Sequence, residues 1–154
     1  MFRRFAITFA AAILVLAAAL LYAQQQPHGV LDQDRIRPNG RVIAVSSLSG
    51  IAGNPGQTNY ATSKAAVIGS VEAFAEVVRD RGITVNAVAP GFIETSMTAP
   101  VPLLVKEAAR RMNSLHQGGQ PVDVAETVGW LAAPDSGGVT ANVVRVCGQS
   151  LLGA

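Results

Sequence analysis

The chain has 154 residues, enough for one domain of ordinary size and not for two. It is 49% hydrophobic and only 14% charged, against roughly 25% charged in an average soluble domain, so a disordered acidic or basic tail is excluded. The net charge of +2 comes from Arg3 and Arg4, because the remaining basic and acidic residues balance, and no basic patch with interleaved aromatics argues for nucleic acid. The single cysteine, Cys147, excludes an internal disulfide or a multi-cysteine metal site.

Residues 5–23 (FAITFAAAILVLAAALLYA) carry no charge, Gly or Pro. As a helix the segment would be about 28 Å long, near the hydrocarbon thickness of a bilayer. Three readings stay open. A signal peptide would use Arg3 and Arg4 as its basic region, 5–16 as its apolar region, and 17–19 or Ala23 as its small-residue exit. An uncleaved anchor would leave the arginines on the cytoplasmic side and make membrane contact through 5–23. A buried helix of a soluble domain, or a misassigned start, is the third. The organisation expected is therefore a signal peptide or anchor over 1–23, a polar linker over 24–38, and a folded body over 39–154. Membrane association or export follows from the first two readings.

In the body, residues 41–46 (RVIAVS) form a short β-branched run, the nearly continuous apolar strand that a parallel sheet covered on both faces requires. Residues 47–57, rich in Ser, Gly, Asn and Pro, read as a loop. Thr58 or Asn59 then caps a long helix running to about Arg81, with Gly82 ending it. A second strand covers 83–88 and stops at Pro90-Gly91. A looser helical region spans 101–115. Asp123, with Glu126 three positions on, forms a capping box for a helix to about Ala133, and 142–146 is a third strand. Strands alternating with helices predict a parallel α/β sheet, though three strands are few for a doubly wound fold.

Tyr60 and Lys64 are four apart on the predicted helix and so share a face. Ser47 lies just past the first body strand, where ligands bind in open α/β sheets. A phenol with a pKa near 10 is a poor acid or base at neutral pH, and a neighbouring ammonium favours its anion. A serine hydroxyl can hold a carbonyl oxygen alongside. The trio suits proton transfer coupled to hydride transfer at a carbonyl. The bare Tyr-x-x-x-Lys spacing is weak; its bland reading is a solvated helix face.

The longer strings VIAVSSLSGIAGNPGQTNYATSKAAVIGSVEAFA and ITVNAVAPGFIETSM say more. Here the sequence resembles the short-chain dehydrogenase/reductase family, and most closely the 3-oxoacyl-[acyl-carrier-protein] reductases. The ending VVRVCGQSLLGA is similar to the high-molecular-weight actinobacterial members. The resemblance runs from about Asn39 to Ala154. It implies the C-terminal half of a doubly wound Rossmann-type parallel sheet, here preceded by an apolar N-terminal helix. It further implies NADP-dependent reduction of a 3-oxoacyl thioester to the 3-hydroxyacyl form. By the same resemblance Ser47 orients the substrate carbonyl, Tyr60 is the catalytic acid, and Lys64 assists it and binds the nicotinamide ribose. Pro90, Gly91, Ile93 and Thr95 belong to the loop receiving the nicotinamide, Ile93 through backbone groups and Thr95 through its hydroxyl. Residues 97–113 correspond to the substrate-binding segment. Also implied are an acyl thioester substrate, a cytoplasmic setting, and homo-oligomers built through the tyrosine-bearing helix and the last strand.

Two departures accompany this. Before Ser46 the chain has only Gly29 and Gly40, so the family's Gly-rich turn, which brings backbone donors to the pyrophosphate, is absent. The family's catalytic asparagine and its residue reading the adenosine ribose are missing as well. Weak dinucleotide binding and a partial domain are therefore expected, with a non-catalytic remnant or a tethered interaction module as the other classes. Elsewhere, His28 and His116 are lone histidines in predicted loops, and no metal site is expected. Cys147 reads as a packed side chain at a strand end and Trp130 as core. Arg110-Arg111 reads as a solvated helix end, with contact to an acidic acyl-carrier protein as the functional alternative.

Overall fold

The computed structural model describes residues 36–150. The apolar segment 5–23, His28 and most of the expected linker lie outside the described residues. Three strands form one sheet in the order β1 (Arg41–Val45), β2 (Thr84–Pro90), β3 (Val143–Val146). Both pairings are parallel, with Ala44 opposite Ala87 and Val88 opposite Val144. The helices are α1 (Leu48–Ala52), α2 (Thr58–Val78), α3 (Leu103–Arg111) and α4 (Pro121–Ala132). This is the parallel α/β architecture that alternating strands and helices predict.

The central strand explains why its sequence is so apolar. Thr84 to Ala89 are all buried, as a strand covered on both faces must be. On one side Val85 and Ala87 meet Val71, Phe74, Ala75 and Val78 of α2, with Val42 and Ala44 of β1 and Val143 of β3 packed alongside. The α2 residues fall at the 3.6-residue period that gives a helix one apolar stripe. Full burial of each valine or phenylalanine contributes about 1.5–3 kcal/mol, so this seam fixes α2 against the sheet. Helix α4 packs across all three strands, with Leu131 buried.

Local signals set the ends. Helix α2 begins at Thr58, so Gln57, without a side-chain capping hydrogen bond, is its cap rather than the expected Thr58 or Asn59; after Val78 it passes into a 3-10 turn over Arg79–Arg81 and stops at Gly82, whose φ of 66° is left-handed. Several expectations need correction. The 47–57 segment is not all loop: Ser47 caps the short helix α1 by accepting from the Ser49 N–H at 3.2 Å. Asp123 is not the cap of α4 but its third residue; Gln120 is the cap, and its N–H donates to Asp123 Oδ2 at 2.7 Å. Pro121 at the first helical position moves the start upstream, since proline is well placed there. Trp130 is not core, being 51% exposed. Helix α3 is also shorter than the expected 101–115, with Pro102 as its cap and residues from Met112 on leaving the helix.

Candidate active site

The site stands at the carboxyl edge of the sheet, where β1 and β2 end side by side. Beyond Val45 the chain reaches Ser46 and Ser47. Ser46 is buried; its N–H continues the ladder to Val88 O at 2.8 Å, and its hydroxyl donates to Lys64 O at 2.8 Å. That bond joins the end of β1 directly to the second turn of α2. Helix α1 lies against the same turn, with Gly50 so close that a Cβ there would sit 2.7 Å from the Lys64 carbonyl carbon. The glycine is needed for this approach rather than for any unusual backbone angle.

Ser47, Tyr60 and Lys64 are thereby brought to one edge. The Lys64 ammonium donates to Val45 O at 3.0 Å and lies 5.8 Å from the centre of the Tyr60 ring, within range of a cation–π attraction. Tyr60 is 42% exposed and Ser47 half-buried. Ser47 Oγ accepts from Ser49 N–H, so its own O–H is the donor it can offer to an incoming oxygen. Ser47 thus lies two residues past the strand-end carbonyl that Lys64 holds, and Tyr60 one turn before Lys64 on α2.

From the end of β2, Pro90 leads into the 91–95 loop. Gly91 N–H donates to Val146 O at 2.9 Å, and a Cβ on Gly91 would lie 2.7 Å from Cys147 Cβ, so this glycine permits β3 to close on the loop. Cys147 is packed there at a strand end, as read from the sequence. The Ile93 carbonyl accepts from Thr98 Oγ1 at 3.0 Å, and Thr95 N–H donates to the same hydroxyl at 2.9 Å. Beyond it, Met97, Leu103, Leu104 and Val105 are exposed, an apolar surface within the expected substrate segment.

Sequence reasoning missed the tie between these parts. Arg110 is not a solvated helix end: its Nε and Nη2 both donate to Glu94 Oε1, at 2.8 and 2.6 Å, and the pair is half-buried. The Arg110 hydrogen bond holds the Glu94 carboxyl below the usual carboxylate range, against a smaller opposing effect of burial, and Glu94 in turn raises Arg110. Arg111 is exposed and pairs with Glu107 one turn back at 2.9 Å. Sixteen residues separate Glu94 from Arg110, so no local pattern announces their contact.

The family model described as Enoyl-(Acyl carrier protein) reductase matches residues 9–148. The chain belongs to the short-chain dehydrogenase/reductase family. It is similar to the 3-oxoacyl-[acyl-carrier-protein] reductase of Thermotoga maritima, 48% identical over 110 residues, covering 71% of this chain and 45% of that protein. It is also similar to nodulation protein G of Rhizobium meliloti, 44% identical over 112 residues, covering 73% and 46%. Among solved structures, the 3-oxoacyl-[acyl-carrier protein] reductase of Brucella melitensis superposes with a TM-score of 0.70 at 33% identity, over 73% of this chain and 42% of that one. The chain therefore spans less than half the length of these relatives. The Rossmann-type character expected of the sheet agrees with this neighbour. Among the described residues, no helix is long and apolar enough to cross a membrane.

Proposed function

We propose that these residues carry the catalytic part of an NADP-dependent reductase of 3-oxoacyl thioesters. The observation supporting this is the meeting of Ser47, Tyr60 and Lys64 at one sheet edge, beside the loop that starts at Pro90. Ser47 would donate its hydroxyl to the substrate carbonyl, and Tyr60 would deliver the proton to that oxygen as it becomes an alkoxide. Lys64 would stabilise the negative charge that develops on the phenol oxygen as the proton leaves. The exposed Met97, Leu103 and Leu104 suit an acyl chain.

The described residues suit the nicotinamide end of the cofactor. At the nicotinamide end, Lys64 spends one N–H on Val45 O, leaving others for a ribose hydroxyl, and Pro90, Gly91, Ile93 and Thr95 border the same edge. NADPH would supply the hydride there.

The test is NADPH titration of the purified full chain, followed by turnover of an acetoacetyl thioester. Saturable binding, with turnover reduced about 100-fold or more by Tyr60→Phe, supports the reading. No binding at millimolar cofactor and no turnover would overturn it.

A second reading, a non-catalytic interaction module, draws on the outer edge of β1. Among the described residues that strand pairs only with β2, and Val45 at its end is 52% exposed. Such an edge can take a strand from another chain, whether a second copy or a different partner. A concentration-dependent dimer abolished by Ile43→Pro would favour it.

A further inference from the structure

Helix α3 has no buried residue, and Leu103, Leu104 and Val105 at its start are exposed. Apolar packing therefore does little to hold it, and polar ties must fix its place. Lys106 Nζ donates to Ala99 O at 2.8 Å, which only fastens the helix to its own lead-in. Just past the helix, Ser114 N–H donates to Gly148 O at 2.9 Å and Asn113 bridges to Ser150, and the side-chain tie from the helix itself to the loop after β2 is Arg110 on Glu94. Glu94 sits between Ile93 and Thr95, and its carboxylate is a meeting point for three segments. Oε1 takes both Arg110 donors from the last turn of α3, and Oε2 accepts from Gln120 Nε2 at 3.4 Å, at the cap of α4. Gly118 packs against the carboxylate so tightly that any Cβ there would overlap it. The backbone closes the arrangement: Glu94 N–H donates to Gly119 O at 2.8 Å, and Gly119 N–H to Phe92 O at 3.0 Å.

We propose that Glu94 is a positioning residue: by gripping Arg110 it holds α3, and with it Leu103 and Leu104, beside the loop that begins at Pro90. The tether stands on geometry alone; what α3 would face, an acyl chain, rests on the reductase reading. The backbone of Glu94 is held by its N–H on Gly119 O, with Gly119 N–H returning to Phe92 O, so the carboxylate is preorganised to receive Arg110. Loss of the charge should free the helix without loosening the sheet.

Amide hydrogen exchange on the full chain tests this, comparing wild type with Glu94→Gln, Arg110→Gln and the double variant. The α3 amides should exchange about threefold faster or more in either single variant, the scale of a partly exposed ion pair. The double variant should add nothing further, because both changes remove one interaction. Amides of Thr84–Pro90 serve as the control and should not change. Unaltered α3 exchange, additive single effects, or equal loosening of β2 would each overturn the tether. With an acetoacetyl thioester, Glu94→Gln should raise KM for the acyl substrate while leaving NADPH affinity in place. An unchanged acyl KM with a loosened α3 would overturn the positioning role. Absence of turnover in the wild type would instead count against the reductase reading, and the exchange comparison would still decide the tether.

Discussion

The Ser46 hydroxyl donates to the carbonyl oxygen of Lys64 at 2.8 Å, tying the end of β1 to the helix that bears Tyr60. One turn of α2 thus has two links to the strand, since the Lys64 ammonium returns to Val45 O at 3.0 Å. Ser46 is buried, so its hydroxyl has no water to exchange for this partner. Ser46→Ala should cost about 1 kcal/mol, the net worth of a typical hydrogen bond, measured as a shift in the denaturation midpoint. Turnover should fall by more than the loss of stability explains, because Tyr60 and Lys64 lose their register on Ser47. A variant with normal stability and normal kcat would show that the link positions nothing.

Two glycines on neighbouring helices should respond in opposite ways to alanine. At Gly50 a Cβ would lie 2.7 Å and 2.9 Å from the Lys64 carbonyl carbon and oxygen, backbone atoms that cannot swing aside. Gly50→Ala should push α1 off α2 and destabilise by about 1–3 kcal/mol, as overpacking does. At Gly69, within α2, an added methyl would meet nothing within 4 Å, so Gly69→Ala should stabilise by about 0.5–1 kcal/mol through helix propensity. Thermal melts of the two variants check the pair, and a shift of the same sign in both would contradict the packing argument.

What the sequence made legible follows from where the information lies. The β-branched run at 41–45, the apolar stripe Val71, Phe74, Ala75 and Val78, and Gly82 as a stop are local signals, and each became an element or an end. The closeness of Tyr60 and Lys64 was legible because an i, i+4 spacing on a helix implies it. The Glu94–Arg110 pair depends on how α3 folds back over the loop after β2, which no window of sequence contains. Trp130 misleads because a large aromatic among apolar neighbours looks like core, whereas only Leu131 of that stretch is buried. The helix α1 was hidden by Ser and Gly, residues that favour loops yet here cap a helix and let two helices touch.

Asn86 lies inside strand β2, where Thr84 at its start is the other buried polar residue, and it is fully buried. Its Nδ2 donates to Val139 O at 2.8 Å, and its Oδ1 accepts from Asn142 N–H at 3.1 Å, so it holds the turn that feeds β3. Asn86→Ala would leave the half-buried Val139 carbonyl and the Asn142 N–H without their side-chain partner, each costing up to about 1–3 kcal/mol where water does not replace it. A loss of about 2–4 kcal/mol in chemical denaturation is expected, with faster exchange at Val143–Val146 than in α2. A loss below about 1 kcal/mol would mean that water replaces both partners.

The Glu94–Arg110 contact should fail in acid. Glu94 titrates below the usual carboxylate range, held down first by the Arg110 hydrogen bonds, with the Arg110 and Lys106 charges and the Gln120 amide acting in the same direction. Glu107 approaches Arg110 at 3.7 Å and shares its guanidinium, while Asp123 is engaged by the Gln120 N–H. Since the folded pKa lies below the unfolded value of about 4.3, the contribution of Glu94 is fully present above that value. It disappears as the pH falls through the folded pKa, where the carboxyl takes up its proton in the native state. The difference in α3 exchange between wild type and Glu94→Gln should therefore hold steady from neutral pH to about pH 5 and shrink below it. Arg110 stays charged throughout, so no second transition is expected on the alkaline side. A difference that vanished between about pH 6 and 8 would point to a histidine instead, and would remove Glu94 as the group that grips the helix.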